Sequence, residues 1–135
     1  VLFRSSFNKH EGNRSRLLLF VFAREAKFMD KDALPVNQIL MDGFTCKKPV
    51  YRKTPSGRQI TDLLIAVNRP YGKSDYIPCI AWGRNARYMG TCGTGTHIIL
   101  QGRIQSREYN KKVGDQVEKK IAYEVSAYWV EDKTA

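Results

Sequence analysis

Residues 75–83 read Asp-Tyr-Ile-Pro-Cys-Ile-Ala-Trp-Gly, and their alternation sets the fold class. Tyr76, Pro78, Ile80 and Trp82 share one parity; Ile77, Cys79 and Ala81 share the other. A period of two belongs to an extended strand, whose successive side chains leave opposite faces. The smaller set suits the tight interior of a barrel, which turns Tyr76 and Trp82 outward. Pro78 has no N–H to give a ladder, so this strand is expected at a sheet edge or with a bulge at the proline.

The flanking sequence repeats the pattern of short apolar runs cut by Gly, Pro and Ser. Gln38 to Cys46 reads as a first strand bent at Gly43. Thr54-Pro55-Ser56-Gly57 is a turn, and Ile60 to Asn68 a second strand with Leu63, Ile65 and Val67 on the buried face. Residues 68–73 form a loop. Arg84 to Met89 is a short helix ended by Gly90, Gly93 and Gly95. His97 to Tyr109, bent at Gly102, and Ile121 to Val130, reached through Gly114-Asp115, complete the set. The expected fold is mainly β: a five-stranded oligonucleotide-binding barrel with one short helix, preceded by an N-terminal β-hairpin extension. A β-sandwich of similar length is the alternative.

Residues 1–28 stand apart. Ser6-Phe7-Asn8-Lys9, a polar stretch from Gly12 to Arg16 and an apolar run repeat the order of Glu108-Tyr109-Asn110-Lys111, polar Gly114 to Lys120 and an apolar run. This reads as the closing hairpin of a preceding barrel, with an ordinary hairpin packed on the main barrel as the alternative. The expected division is a hairpin at 1–28, a linker at 29–35, a barrel domain at 36–132 and a tail at 133–135.

With 23 Lys and Arg against 13 Asp and Glu, the net charge of +10 favours a polyanionic partner. Cys46, Cys79 and Cys92 are widely spaced without a Cys-x-x-Cys pair, which argues against a disulfide framework or zinc site and for a reducing, cytoplasmic compartment. The apolar run Leu17 to Ala23 is short for a signal core and is followed at once by Arg24 and Glu25; no stretch approaches a bilayer span. His10 and His97 lack a nucleophile or metal-ligand neighbour, no P-loop glycine motif is present, and Asp42, Asp62 and Asp75 read as solvated carboxylates. The expectation is a protein with no catalytic residues, no cofactor and no metal.

Single strands are gripped by cations that neutralise phosphates and by flat rings on which unpaired bases stack. Here the two are interleaved. Lys47, Lys48, Arg52, Lys53 and Arg58 surround Tyr51; Arg69 and Lys73 flank Tyr71; Arg84 follows Trp82; Arg103, Arg107, Lys111 and Lys112 surround Tyr109. On the 97–109 strand, Arg103, Gln105, Arg107 and Tyr109 fall on one face as a basic stripe ending in a ring. Tyr123, Tyr128 and Trp129 read instead as core or hairpin packing.

Thr54-Pro55-Ser56-Gly57, the run from Ala66 to Tyr71, the run from Ser74 to Gly83, and the run from Gly102 to Tyr109 together resemble the bacterial single-stranded DNA-binding protein family. The resemblance covers residues 36–132. It implies an oligonucleotide-binding fold that assembles as a homo-oligomer, a dimer or tetramer, acting in replication, recombination and repair in the cytoplasm, on the nucleoid. Stacking platforms in a basic groove are that family's known mode of binding. Carried over by position, Tyr71, Tyr76, Trp82 and Tyr109 fall at its base-stacking rings, and Arg52, Arg58, Arg69, Arg84, Arg103 and Arg107 are matched to backbone contacts. Two features depart from the family. The chain stops at Glu131-Asp132-Lys133-Thr134-Ala135 without the acidic tip that recruits replication and repair proteins, and the N-terminal hairpin points to a tandem-barrel relative. Alternative readings are a primosome-type protein-interaction module and a single-stranded RNA binder.

Overall fold

The computed structural model describes the backbone of residues 2–10 and 14–134 and the side chains of residues 17–134. In chain order the elements are β1 (Leu2–His10), β2 (Arg14–Phe22), β3 (Ile39–Thr45), β4 (Val50–Lys53), β5 (Gln59–Asn68), β6 (Ser74–Trp82), α1 (Gly83–Met89), β7 (His97–Val113) and β8 (Gln116–Asp132). β1 and β2 form an antiparallel hairpin, whose turn at 11–13 lies outside the described residues. The other strands form one sheet in the order β3-β7-β8-β6-β5-β4, closed into a barrel where β3 also pairs with β5 at Phe44↔Ala66 and Thr45↔Ile65.

Two glycines let the sheet curve. At Gly43, β3 passes from β7 to β5, and a Cβ there would lie 2.6 Å from the Ala66 carbonyl oxygen. At Gly102 the β7–β8 register shifts: Gln101 faces Trp129 but Gly102 faces Ala127, which leaves Tyr128 as the extra residue of a bulge. A Cβ on Gly102 would run into the Ser126 carbonyl.

The interior is filled as the alternation requires: Leu63 and Ile65 of β5, and Ile77, Cys79 and Ala81 of β6, are buried with Ile39, Met41, Ile98, Leu100, Val125 and Ala127. Val67 is only partly buried against this core. Ala86 and Met89 of α1 plug the barrel, and Thr61 Oγ1 donates to the Ala86 carbonyl at 2.6 Å, tying the helix to β5.

Two expectations are corrected. The strand that carries Pro78 is central rather than an edge, because β6 lies between β5 and β8, and it has no bulge at the proline, since it keeps unbroken register with β5. The proline is accommodated because the ladder with β8 runs only from Cys79 to Ala81, past it. The barrel sheet also gains a short sixth strand, β4, paired with β5 from Val50↔Asp62 to Lys53↔Gln59. All four β4 residues are exposed, so no apolar alternation marks the strand.

Leu19 of β2 packs against the barrel core. Residues 23–36 are exposed, Phe28, Met29, Leu34 and Val36 among them. Contact with the barrel resumes at Asn37, whose side chain pairs with the Ile104 backbone in both directions at 2.8 and 3.0 Å, one step ahead of the β3–β7 ladder.

Candidate nucleic-acid interface

Strand register places the outward residues of β4, β5, β6, β8 and β7 on one curved face. One row runs Arg52, Ile60, Trp82 and the next Val50, Asp62, Ile80, Ser126, Arg103, followed on β8 and β7 by Glu124 with Gln105 and Ala122 with Arg107. On this face a cleft of about 480 Å³ is lined by Arg58, Trp82, Arg103, Gln105, Ser106, Arg107 and Ser126. Its size suits a nucleotide. Two loops border it, the β4–β5 turn carrying Arg58 and the long β7–β8 hairpin carrying Tyr109, the positions that serve oligonucleotide binding in barrels of this type.

Trp82 is the anchored ring of the cleft. Its Nε1–H donates to Ser126 Oγ at 2.9 Å, fixing the ring plane, and the Arg58 guanidinium carbon lies 4.7 Å from its centroid. The Arg107 guanidinium carbon lies 5.8 Å from the Tyr109 ring. Tyr76 is half-buried on the outward face of β6, opposite Ala66. Tyr71 stands at the tip of the β5–β6 loop at 101% relative exposure, with a backbone φ of 76°. A non-glycine residue in this left-handed region carries strain, held here by a loop closed by the Arg69 N–H on the Lys73 carbonyl at 2.7 Å.

Three of the six arginines matched to backbone contacts are already engaged. Arg52 Nε donates to Asp62 at 2.8 Å. Arg69 Nε donates to Asp75 Oδ2 at 2.7 Å and its Nη2 to Oδ1, with the carboxylate buried. Arg107 Nε donates to Glu124 Oε1 at 2.6 Å and its Nη2 to Oε2 at 3.3 Å, while Gln105 Nε2 adds a third bond to Glu124 at 3.2 Å. The hydrogen bonds to Asp75 and Glu124 hold the Arg69 and Arg107 guanidiniums above their ordinary pKa values. These pairs hold the three guanidiniums in place. Arg58, Arg84 and Arg103 have no carboxylate partner among the described residues. Arg84, in α1, is exposed and lies outside the cleft lining.

The structure thus gathers Arg58, Trp82, Arg103 and Arg107 at one cleft and sets Tyr109 beside Arg107; Arg52 and Arg84 lie outside the lining, and Tyr76, Arg69 and Tyr71 belong to the other end of the β5–β6 ladder, where Ala66 pairs with Tyr76 and Asn68 with Ser74, far from the Ile60↔Trp82 pair. The anchoring Ser126 and the acids Asp62, Asp75 and Glu124 were not singled out for this role from sequence. Alternation does put Glu124 and Ser126 on one face of β8, but their partners appear only once the register is known. Tyr123, Tyr128 and Trp129 are corrected: at 60%, 53% and 42% exposure they are surface residues. Of the three aspartates read as solvated, Asp75 is corrected, its carboxylate being buried against Arg69, and Asp62 is paired with Arg52; Asp42 meets His97 Nε2 at 2.5 Å on the β3–β7 face, where Phe44 stacks on His97. Among the described residues there is no group of three metal-ligating side chains, and no helix is long and apolar enough to cross a membrane.

The model of the single-strand binding protein family matches residues 36–131. Single-stranded DNA-binding protein 2 of Streptococcus agalactiae serotype V is 34% identical over 82 residues, 56% of this chain and 63% of that protein. Single-stranded DNA-binding protein B of Bacillus subtilis is 31% identical over 88 residues, covering 60% of this chain and 78% of that protein. The protein of the same type in Halalkalibacterium halodurans is 29% identical over 89 residues, 61% of this chain and 53% of that protein. The chain spans less than two thirds of the Streptococcus relative's length.

Proposed function

Because this chain belongs to the single-strand binding protein family, we propose that residues 36–132 bind single-stranded DNA without catalysis and with little sequence preference. The observation that carries the reading is the cleft itself: an indole anchored by Ser126 between Arg58, Arg103 and Arg107, with Tyr109 next along the hairpin. Bases stack on Trp82, Tyr76, Tyr109 and Tyr71, Arg84 and Arg103 meet phosphates, and Arg58 reaches the strand from the β4–β5 turn beside Trp82, with Arg52, Arg69 and Arg107 as paired cations along the same path. Stacking contributes about 1–3 kcal/mol per base. The role is to cover and protect single strands during replication, recombination and repair, in the cytoplasm and on the nucleoid.

The chain acts as a dimer or tetramer in this reading. Leu40, Phe44 and Trp129, exposed on the outer face of β3 and β8, supply an apolar surface for self-association. Residues 1–28 are a unit of a second barrel, because their hairpin repeats the order of the β7–β8 hairpin, and 29–35 are the linker between the two.

Fluorescence titration with oligo-dT at two salt concentrations, with RNA of equal length as competitor, tests the binding. Quenching that weakens with salt, prefers DNA, and is lost when Trp82 and Tyr109 are both replaced by Ala is expected. Unchanged affinity in that double variant overturns the reading, and preference for RNA reassigns the ligand.

A further inference from the structure

Arg58 has no carboxylate partner among the described residues, and its guanidinium lies over the Trp82 ring. It projects from the β4–β5 turn, which is closed by the Thr54 N–H on the Arg58 carbonyl at 2.8 Å and the Arg58 N–H on Thr54 Oγ1 at 3.0 Å. The backbone of this residue is therefore pinned while its long side chain is exposed. Trp82 faces it from β6, held edge-on by Ser126. A guanidinium and an indole are both flat, and each stacks on nucleobases. The two groups thus cover one another across the cleft, one on a fixed sheet and one on a mobile stem.

We propose, resting on the single-stranded DNA reading above, that Arg58 and Trp82 are the two walls of a slot that takes one base between them, with Arg58 closing as a stacking plane rather than as a phosphate clamp. Without DNA the walls rest on each other at 4.7 Å. Admitting a base requires a spacing of about 6.8 Å, two steps of roughly 3.4 Å. Rotation about the Arg58 stem supplies that opening with the sheet unmoved. Covering Trp82 in the free protein also shields the indole until a base replaces the guanidinium against it.

The two roles for Arg58 separate by substitution. Affinity for labelled oligo-dT and its salt dependence are measured for wild type, Arg58→Ala, Arg58→Lys and Arg58→Tyr. The slot predicts that Ala and Lys each lose about tenfold, that Tyr, a plane without charge, recovers most of the loss, and that the salt slope is the same in all four. A phosphate contact predicts that Lys binds like wild type, Tyr like Ala, and that Ala and Tyr flatten the slope by about 0.7; that pattern overturns the slot and leaves the DNA reading standing. Absence of oligo-dT binding by the wild type overturns both. Urea midpoints of the variants show whether the exposed turn position has left the barrel intact.

Discussion

Glu124 lies buried at 4% exposure on β8 and accepts two hydrogen bonds from Arg107, at 2.6 and 3.3 Å. A cation that the sequence offers for DNA is thus already neutralised by a carboxylate of the neighbouring strand. Removing Arg107 strands that carboxylate: Arg107→Ala is expected to cost about 2 kcal/mol of stability, less than a fully buried pair because the guanidinium is partly exposed. Glu124→Gln does the reverse for binding. It frees the Arg107 charge for phosphate, so the slope of log affinity against log salt should steepen by about 0.7, read by titration at four salt concentrations. An unchanged slope would show that Arg107 never reaches the strand.

Tyr71 combines a left-handed backbone with a fully exposed ring, a conformation that gains nothing from packing. Tyr71→Gly removes the strain of roughly 1–2 kcal/mol, partly offset by the greater freedom of glycine in the unfolded chain, for a net gain of about 0.5–1 kcal/mol. The same change should weaken oligo-dT binding by about 1–3 kcal/mol if the ring stacks. Urea denaturation and titration on one sample decide the matter; equal affinity would make the tyrosine an ornament of the turn.

Gly102 leaves no room for a side chain against the Ser126 carbonyl. Gly102→Ala must push β7 from β8 at the bulge and is expected to cost about 3 kcal/mol. Gly93→Ala, with nothing near its missing Cβ, is the matched control and should change stability by less than about 0.5 kcal/mol. Thermal unfolding of the two variants gives the comparison.

Cys79 lies in the core, where burial first and the nearby Glu124 charge second push its thiol well above the ordinary 9.0. Folded and unfolded forms both keep the proton below 9.0, so the contribution is fully present there. Above it the unfolded chain alone ionises, and stability should fall by about 1.4 kcal/mol per pH unit. The urea midpoint measured between pH 8 and pH 10, roughly one unit either side of the free thiol, should drop more steeply for wild type than for Cys79→Ala. Parallel curves would locate the alkaline sensitivity elsewhere.

Much of this architecture could be read from alternation alone, because the inward set Ile77, Cys79, Ala81 and the outward stripe Arg103, Gln105, Arg107 obey it directly. The misreadings fall where alternation stops. β4 is exposed on both faces and carries no pattern. Tyr128 and Trp129 were assigned to packing, yet Tyr128 is the unpaired residue of the bulge, and both are exposed. The ion pairs are a matter of register: Arg107 and Glu124 are 17 residues apart and meet only because the β7–β8 hairpin folds back on itself. The family resemblance named the rings but not the serine that orients Trp82.

The barrel is joined by a seam only two residue pairs wide, Phe44↔Ala66 and Thr45↔Ile65, while β7 and β8 are paired along almost their whole length. Unequal cohesion of this kind orders events in time. The long hairpin zips outward from its turn pair by pair, whereas the seam returns only two pairs for the chain entropy it removes. Closure at β3–β5 therefore comes late in folding and opens first in the native state, so amide exchange should begin along that line. The cylinder behaves as a clasped band whose girth can relax at its clasp, while the strands bearing Trp82 and Arg103 keep their spacing.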